Sequence, residues 1–279
     1  MSNPEDTELE PGGENRPLPI LDHPLLSPTV FSPVDLVEAV RKQRGIAGET
    51  VPEVCVLDFD GDLTDELVKS GEAAPCPAWP CFHTAMWTIK VGGARCGLIP
   101  RTIGGPYAVL VAEQLAACGV RVILGLASAG RIDPTLPLPA IVVANRAVRD
   151  EGTSFHYLPP SNTVWGWPGL VAILEDELKR LGMTLRVGTV WTTDAPYRET
   201  ALQVERYRKA GVLAVEMQAA SLFAFSAARQ VPVGLVAHLT NAPDYPDQTF
   251  DKGSPNDQRR IIQAICRGGL RLASVVSGT

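Results

Sequence analysis

Residues 213–243 read LAVEMQAASLFAFSAARQVPVGLVAHLTNAP, a short strand, an alanine-rich helix and a buried strand joined almost without connecting chain. Leu213–Met217 is an apolar run that ends on an acid and a methionine. Ala219–Arg229 carries no Pro or Gly and is built of good helix formers. Val231–Thr240 is apolar but for His238 and the closing Thr240, the pattern of a strand covered on both faces.

Working outward, the same alternation repeats. VCVLDF (54–59), MWTIKV (86–91), CGLI (96–99), RVILGLAS (121–128), AIVVAN (140–145) and RVGTVWT (186–192) read as strands. Helices are expected over Val34–Arg44, Pro106–Cys118, Gly169–Leu181, Glu199–Lys209 and Asn256–Val275. The first of them follows Ser32-Pro33, an N-cap and a first-turn proline. Strands alternating with helices predict a layered α/β fold, in which ligands sit at the carboxyl ends of strands. Residues 1–30 are rich in Pro, Gly, Glu and Asp. They are expected to form a tail that is disordered or laid on a neighbouring subunit, ahead of one domain over 31–279.

The composition bounds the function. With 45% hydrophobic and 20% charged residues in 279, the chain is one globular domain of enzyme size. The net charge of −6 and the absence of a Lys/Arg block disfavour nucleic acid and anionic membranes as partners. No apolar run reaches the roughly 18 residues of a membrane span, and the acidic start is unlike a signal peptide, so a cytoplasmic protein is expected. The six cysteines include no CxxC pair and the four histidines no HxH or HxxxH spacing. No metal or cofactor is therefore expected, and the thiols read as reduced and mostly buried.

Two further stretches stand at strand ends. TIGGPYAVLVAEQLAACGVRVILGLASAGRI places a Gly-Gly turn before a helix and a small-residue turn, Ala127–Gly130, after the next strand. Backbone N–H groups in such turns approach an anion or a sugar closely. VLDFDGDLTDEL runs a strand into an acidic loop and resembles the first motif of haloacid dehalogenase-type phosphatases. It departs from that motif at Asp62, which stands in place of Thr, and no later strand ends in the paired acids of a magnesium site. The other readings of this loop are a backbone turn and an acidic helix start facing the helix dipole.

Taken together, VEM before an alanine-rich helix, IGGP opening a helix, and TTDAPY resemble the nucleoside phosphorylase superfamily, which holds uridine phosphorylases, purine nucleoside phosphorylases and methylthioadenosine nucleosidases. The resemblance runs from about Cys55 to the C-terminus. It implies a layered α/β/α phosphorylase-type fold with a central mixed, partly barrel-like sheet. It also implies Met217 and Gln218 at the sugar, with Glu216 as the nearest carboxylate, and Ser128 and Gly130 on the floor below the anomeric carbon. Asn241, Tyr197 and Arg198 fall at the base. Gln218 replaces a family Glu and so loses a charge that stabilises an oxocarbenium-like sugar. Asn241 cannot deliver a proton, which suits a base leaving as a hydrogen-bonded anion.

At the expected phosphate site, the three family arginines fall at Asp65, Phe82 and Gly125. A carboxylate beside a bound dianion is repulsive. Hydrolytic relatives instead use a carboxylate near the end of the first strand. Asp65 falls there, with Asp60, Asp62 and Glu66 as neighbours able to take the same role. The expectation is cleavage of a nucleoside N-glycosidic bond, with water favoured over phosphate. The alternatives are phosphorolysis through an anion site rebuilt on Arg101 and Arg131, and a non-catalytic ligand-binding relative. The resemblance further implies a homodimer or trimer of dimers. Phe82 and His83, in PCPAWPCFHTAMW, would reach a partner's site, and Trp79, Phe82 and Trp87 would form an apolar contact patch; the alternative is that the stretch folds back as ordinary core.

Overall fold

All five residues of β1 (Val54–Asp58) are buried, and their side chains alternate between two cores. Cys55 and Leu57 belong to one apolar cluster, Val54 and Val56 to another. A strand with a core on each face is the centre of a three-layer arrangement. The computed structural model describes residues 18–48, 50–241 and 253–276. The strands after β1 are β2 (Ala74–Pro75), β3 (Trp87–Val91), β4 (Ala94–Pro100), β5 (Val122–Arg131), β6 (Ala140–Asp150), β7 (Thr163–Trp165), β8 (Thr184–Thr193), β9 (Val212–Glu216) and β10 (Val233–Asn241). The helices are α1 (Pro33–Arg44), α2 (Asp62–Lys69), α3 (Gly105–Ala117), α4 (Pro168–Lys179), α5 (Ala201–Lys209), α6 (Ala219–Arg229) and α7 (Pro255–Val276).

The first core is formed by α3 and α6, through residues such as Val109, Leu115, Leu222 and Phe225. The second is formed by α2, α4 and α7, through Leu63, Leu67, Leu174, Ile262 and Ile265. The strand order β10-β6-β8-β9-β5-β1-β4-β3-β2, with β10 also pairing β5, closes five strands into a barrel-like ring. Register shifts at Ala144/Arg146 in β6 and Thr189/Val190 in β8 add the local twist that curls a sheet. The expected α/β/α layering with a mixed, partly barrel-like sheet is therefore what the chain forms.

Several expectations change. Of the readings left open for the acidic run after β1, the helix start is the one that forms, because Leu63 and Leu67, four residues apart, both face the second core. β5 and β6 extend beyond the apolar runs that announce them, since ring strands continue past the core to Arg131 and Asp150. The three-ring aromatic patch does not form. Trp79 is 3% exposed, Trp87 packs half-buried on the second core, and Phe82, 46% exposed, lies with its ring 5.4 Å from the Arg44 guanidinium. The Cys76 amide bonded to the Met86 carbonyl at 2.8 Å folds that loop back on the sheet.

Of the expected tail, residues 1–17 lie outside the described residues. The part that follows lies on its own chain, with Ile20 over Gly152 and the His23 and His156 rings 4.0 Å apart. All six cysteines are free, and Cys118 is the one that is not fully buried. No helix among the described residues is long and apolar enough to cross a membrane.

Candidate functional site

β5 changes partner in mid-course. It pairs β1 as far as Leu126, opposite Asp58, and meets β9 only at Gly130, opposite Val215. Residues 127–129 therefore line a gap between the ends of β1 and β9, a switch point of the kind where α/β sheets bind ligands. On its other flank β5 runs beside β10, which sets His238 opposite Ser128 and Asn241 opposite Gly130. Ser128, Gly130, Asn241 and the end of β9 that leads to Met217 are thus brought together.

At the β9 end, the first turn of α6 is pinned by side chains of the protein itself. Glu216, 4% exposed, accepts from the Thr192 hydroxyl at 2.5 Å and from the amides of Gln218 at 2.6 Å and Ala219 at 2.8 Å. The Thr192 oxygen in turn accepts the Ala220 amide at 2.9 Å. A carboxylate at a helix N-terminus satisfies orphan donors and favours the dipole. Burial nevertheless outweighs these bonds and raises the Glu216 carboxyl to about 7. Glu216 thus faces Thr192 and the helix start. Gln218, also buried, turns its side-chain oxygen to the Met217 amide at 3.3 Å, and Met217 is half-buried beside it.

On the β1 side, Asp58 is buried and accepts from the Gly61 amide and from the Thr64 amide and hydroxyl, at 3.3, 2.9 and 2.7 Å. Burial raises its carboxyl. These bonds shape the turn into α2. Gly61 sits there at φ +84°, with the Arg101 side chain so close that a Cβ would meet Arg101 Cγ at 2.7 Å. Both facts require glycine. Asp60, the half-buried residue between, turns to β5 at the edge of the gap and accepts the Ser128 amide at 3.3 Å. Asp65 lies further along, on the first turn of α2, ion-paired with Arg101 where both side chains are more than half exposed.

The remaining expected residues are spread out. Arg131 is buried and donates to the Leu136 carbonyl at 3.0 Å. Gly125 sits in β5 against the Phe59 ring, where a Cβ would come within 2.8 Å. Phe82 and His83 are exposed on the β2–β3 loop, and the His83 carbonyl accepts from the Tyr107 hydroxyl at 3.3 Å. Tyr197, fully exposed, and Arg198 occupy a short turn after β8. Arg198 lines a cavity of about 530 Å³ together with Arg149, Glu151, Thr193, Asp194 and Gln203.

Glu151 and Thr192 carry no signal in the sequence reading. Glu151 is buried and takes the Ser221 hydroxyl at 2.6 Å and the Ser154 amide at 2.9 Å on one oxygen. Its other oxygen is buried without a hydrogen-bond partner. Nearby, Asp194 accepts the Gly152 amide at 2.9 Å, and burial raises its carboxyl. Ser221 lies 70 residues from Glu151, so only the folded chain shows the pair. The TTDAPY resemblance points at the segment that holds Thr192 and Asp194 without singling either out. No group of His, Cys, Asp and Glu among the described residues is placed to hold a metal ion.

The chain is similar in sequence to known proteins. A uridine phosphorylase of Salmonella typhimurium is 26% identical over 165 residues, 54% of this chain and 65% of its own length. A guanosine phosphorylase of Halorubrum lacusprofundi is 29% identical over 171 residues, 57% of this chain and 69% of its own. A DeoD-type purine nucleoside phosphorylase of Streptococcus uberis is 28% identical over 209 residues, 68% of this chain and 86% of its own. The chain thus spans less than two thirds of the length of the uridine phosphorylase. The model of the phosphorylase superfamily matches residues 53–267, from the edge of β1 into α7. That span takes in every strand of the closed ring and both rims of the gap along β5, and so the chain belongs to the phosphorylase superfamily.

Proposed function

We propose that this chain cleaves the N-glycosidic bond of a nucleoside, with water as the nucleophile. The observation that carries the reading is the gap along β5, where the Ser128 amide, Gly130 and Asn241 meet the start of α6 and a carboxylate of the β1 loop. In this reading Met217 and Gln218 hold the sugar above Ser128 and Gly130. Asn241 hydrogen-bonds the base, while Tyr197 and Arg198 stand on the turn after β8, where Arg198 lines another cavity. The base leaves with the bonding electron pair, and its developing charge is met by amide donors rather than by a proton. Water forms the new bond at the anomeric carbon and gives its proton to the acid of the β1 loop. Asp60 suits that role better than Asp65, because Asp60 already points into the gap while Asp65 is held by Arg101 at the surface.

The names of the relatives support a nucleoside as substrate. They also favour a second reading, phosphorolysis, for which Arg101 and Arg131 are the candidate cations. The finer points are likewise ours: a cytoplasmic enzyme, assembled as a homodimer or a trimer of dimers, with Phe82 and His83 directed toward the partner. A panel of pyrimidine and purine nucleosides, incubated with and without phosphate, tests the reading. Free base and free sugar in phosphate-free buffer are the expected products. Strict dependence on phosphate, with sugar 1-phosphate formed, would establish the second reading. No turnover across the panel would leave a ligand-binding relative.

A further inference from the structure

The Ser128 amide lies on the stretch of β5 that neither β1 nor β9 covers, the place where a backbone N–H is free to meet a ligand's oxygen. In this chain it meets Asp60 instead, at 3.3 Å. A carboxylate oxygen there is the intramolecular equivalent of one oxygen of a bound anion. The surroundings reinforce it. Asp58 lies buried two residues before Asp60, Asp62 and Asp65 follow on the first turn of α2, and Arg101 is paired with Asp65. Arg131 directs its guanidinium to the Leu136 carbonyl.

We propose that Asp60 determines the choice of nucleophile by excluding phosphate: its carboxylate occupies, at the Ser128 amide, the position that a phosphate oxygen would take. A phosphate dianion arriving here must displace a hydrogen-bonded acceptor of its own sign and then sit beside it. Water needs neither step. The inference rests on the nucleoside-cleaving reading for its consequence but not for its measurement, because phosphate binding is observable with no nucleoside present.

The experiment follows inorganic phosphate by ³¹P NMR line broadening and by calorimetry on the full-length wild type, Asp60→Asn and Asp60→Ala, with circular dichroism to confirm folding. Asparagine keeps the shape and removes the charge; alanine removes both. Wild type is expected to show no saturable phosphate binding. The variants are expected to show saturable binding, since removal of one negative charge at about 4 Å and an effective dielectric of about 20 corresponds to a gain of about 1,000-fold per unit charge on the ligand. Saturable binding to wild type that disappears in Arg101→Ala would overturn the proposal. So would variants that fold and bind phosphate no better than wild type. A wild type that cleaves no nucleoside refutes the functional reading, while the phosphate titration still decides the role of Asp60.

Discussion

The Thr192 hydroxyl donates to Glu216 at 2.5 Å while its oxygen accepts the amide of Ala220 at 2.9 Å, so one side chain ties the end of β8 to the end of β9 and to the first turn of α6. Thr192→Val keeps the volume but leaves a buried carboxylate and a helix amide each short of a partner. A loss of about 2–3 kcal/mol in unfolding free energy is expected, measured by urea denaturation. Thr192→Ser should stay near wild type. If Val and Ser are equivalent, the hydroxyl is not what holds the helix.

Glu216 makes stability depend on pH. Its folded carboxyl is raised to about 7 from an ordinary 4.5, so across that window the folded chain holds a proton that the unfolded chain has released. Stability therefore falls as pH rises from about 4.5 to 7 and is level above it, by at most about 3 kcal/mol in total. Urea midpoints taken at intervals from pH 5 to 8 should trace this fall, and Glu216→Gln should flatten it. A slope unchanged in the variant would assign the dependence to another group.

Gln218 is 4% exposed and caps α6 without a side-chain bond to that helix. If its amide holds sugar hydroxyls in a dry site, Gln218→Ala lowers kcat/KM for the best nucleoside by about 1.5–3 kcal/mol, roughly ten- to a hundredfold. Gln218→Glu is expected to raise turnover on ordinary ribonucleosides. Activity of both variants within twofold of wild type would reduce Gln218 to a helix residue.

Gly105 opens α3 where the chain presses on α6. A Cβ at this position would stand 2.1 Å from Ser221 Oγ, the atom that donates to Glu151. Gly105→Ala must push that hydroxyl away and is expected to cost about 2–4 kcal/mol. Because both changes remove the same bond, Gly105→Ala combined with Ser221→Ala should be less damaging than the sum of the singles. Additive losses would show that the steric clash lies elsewhere.

Phe31 and Leu110 are exposed along the groove between α1 and α3, an apolar face of the kind found at subunit contacts. Light scattering at micromolar concentration should return a dimeric or hexameric mass. A monomeric mass, with activity independent of dilution, would refute a site shared between subunits.

The sequence is legible where one residue pattern has one physical outcome. Ala219–Arg229 is bounded as expected, since a glycine-free alanine-rich run between two apolar strands admits no other element. Asp62–Lys69 is harder, because the acids suggest a loop until Leu63 and Leu67 are seen to share a face. The aromatic loop misleads for the opposite reason: Trp79 looks like surface next to prolines, yet the backbone bond from Cys76 to Met86 carries it inside. The candidate site is legible in its residue types and not in its directions. Nothing in VLDFDGDLTDEL says that Asp60 turns toward Ser128 and Asp65 toward Arg101, because the first depends on where β5 parts from β1 and the second on the path of Arg101 over Gly61.

The closed ring also governs the order in which the chain can become whole. β10 seals it by lying between β5 and β6, strands made about a hundred residues earlier. Until Asn241 has left the ribosome, both earlier strands carry an unpaired edge, and α7, which packs against β5, has not been made. Such long-range closure is slow, and an incomplete chain offers its open edges to any neighbour. Completion of synthesis, more than any single contact, is what turns this sequence from a template for association into a finished sheet.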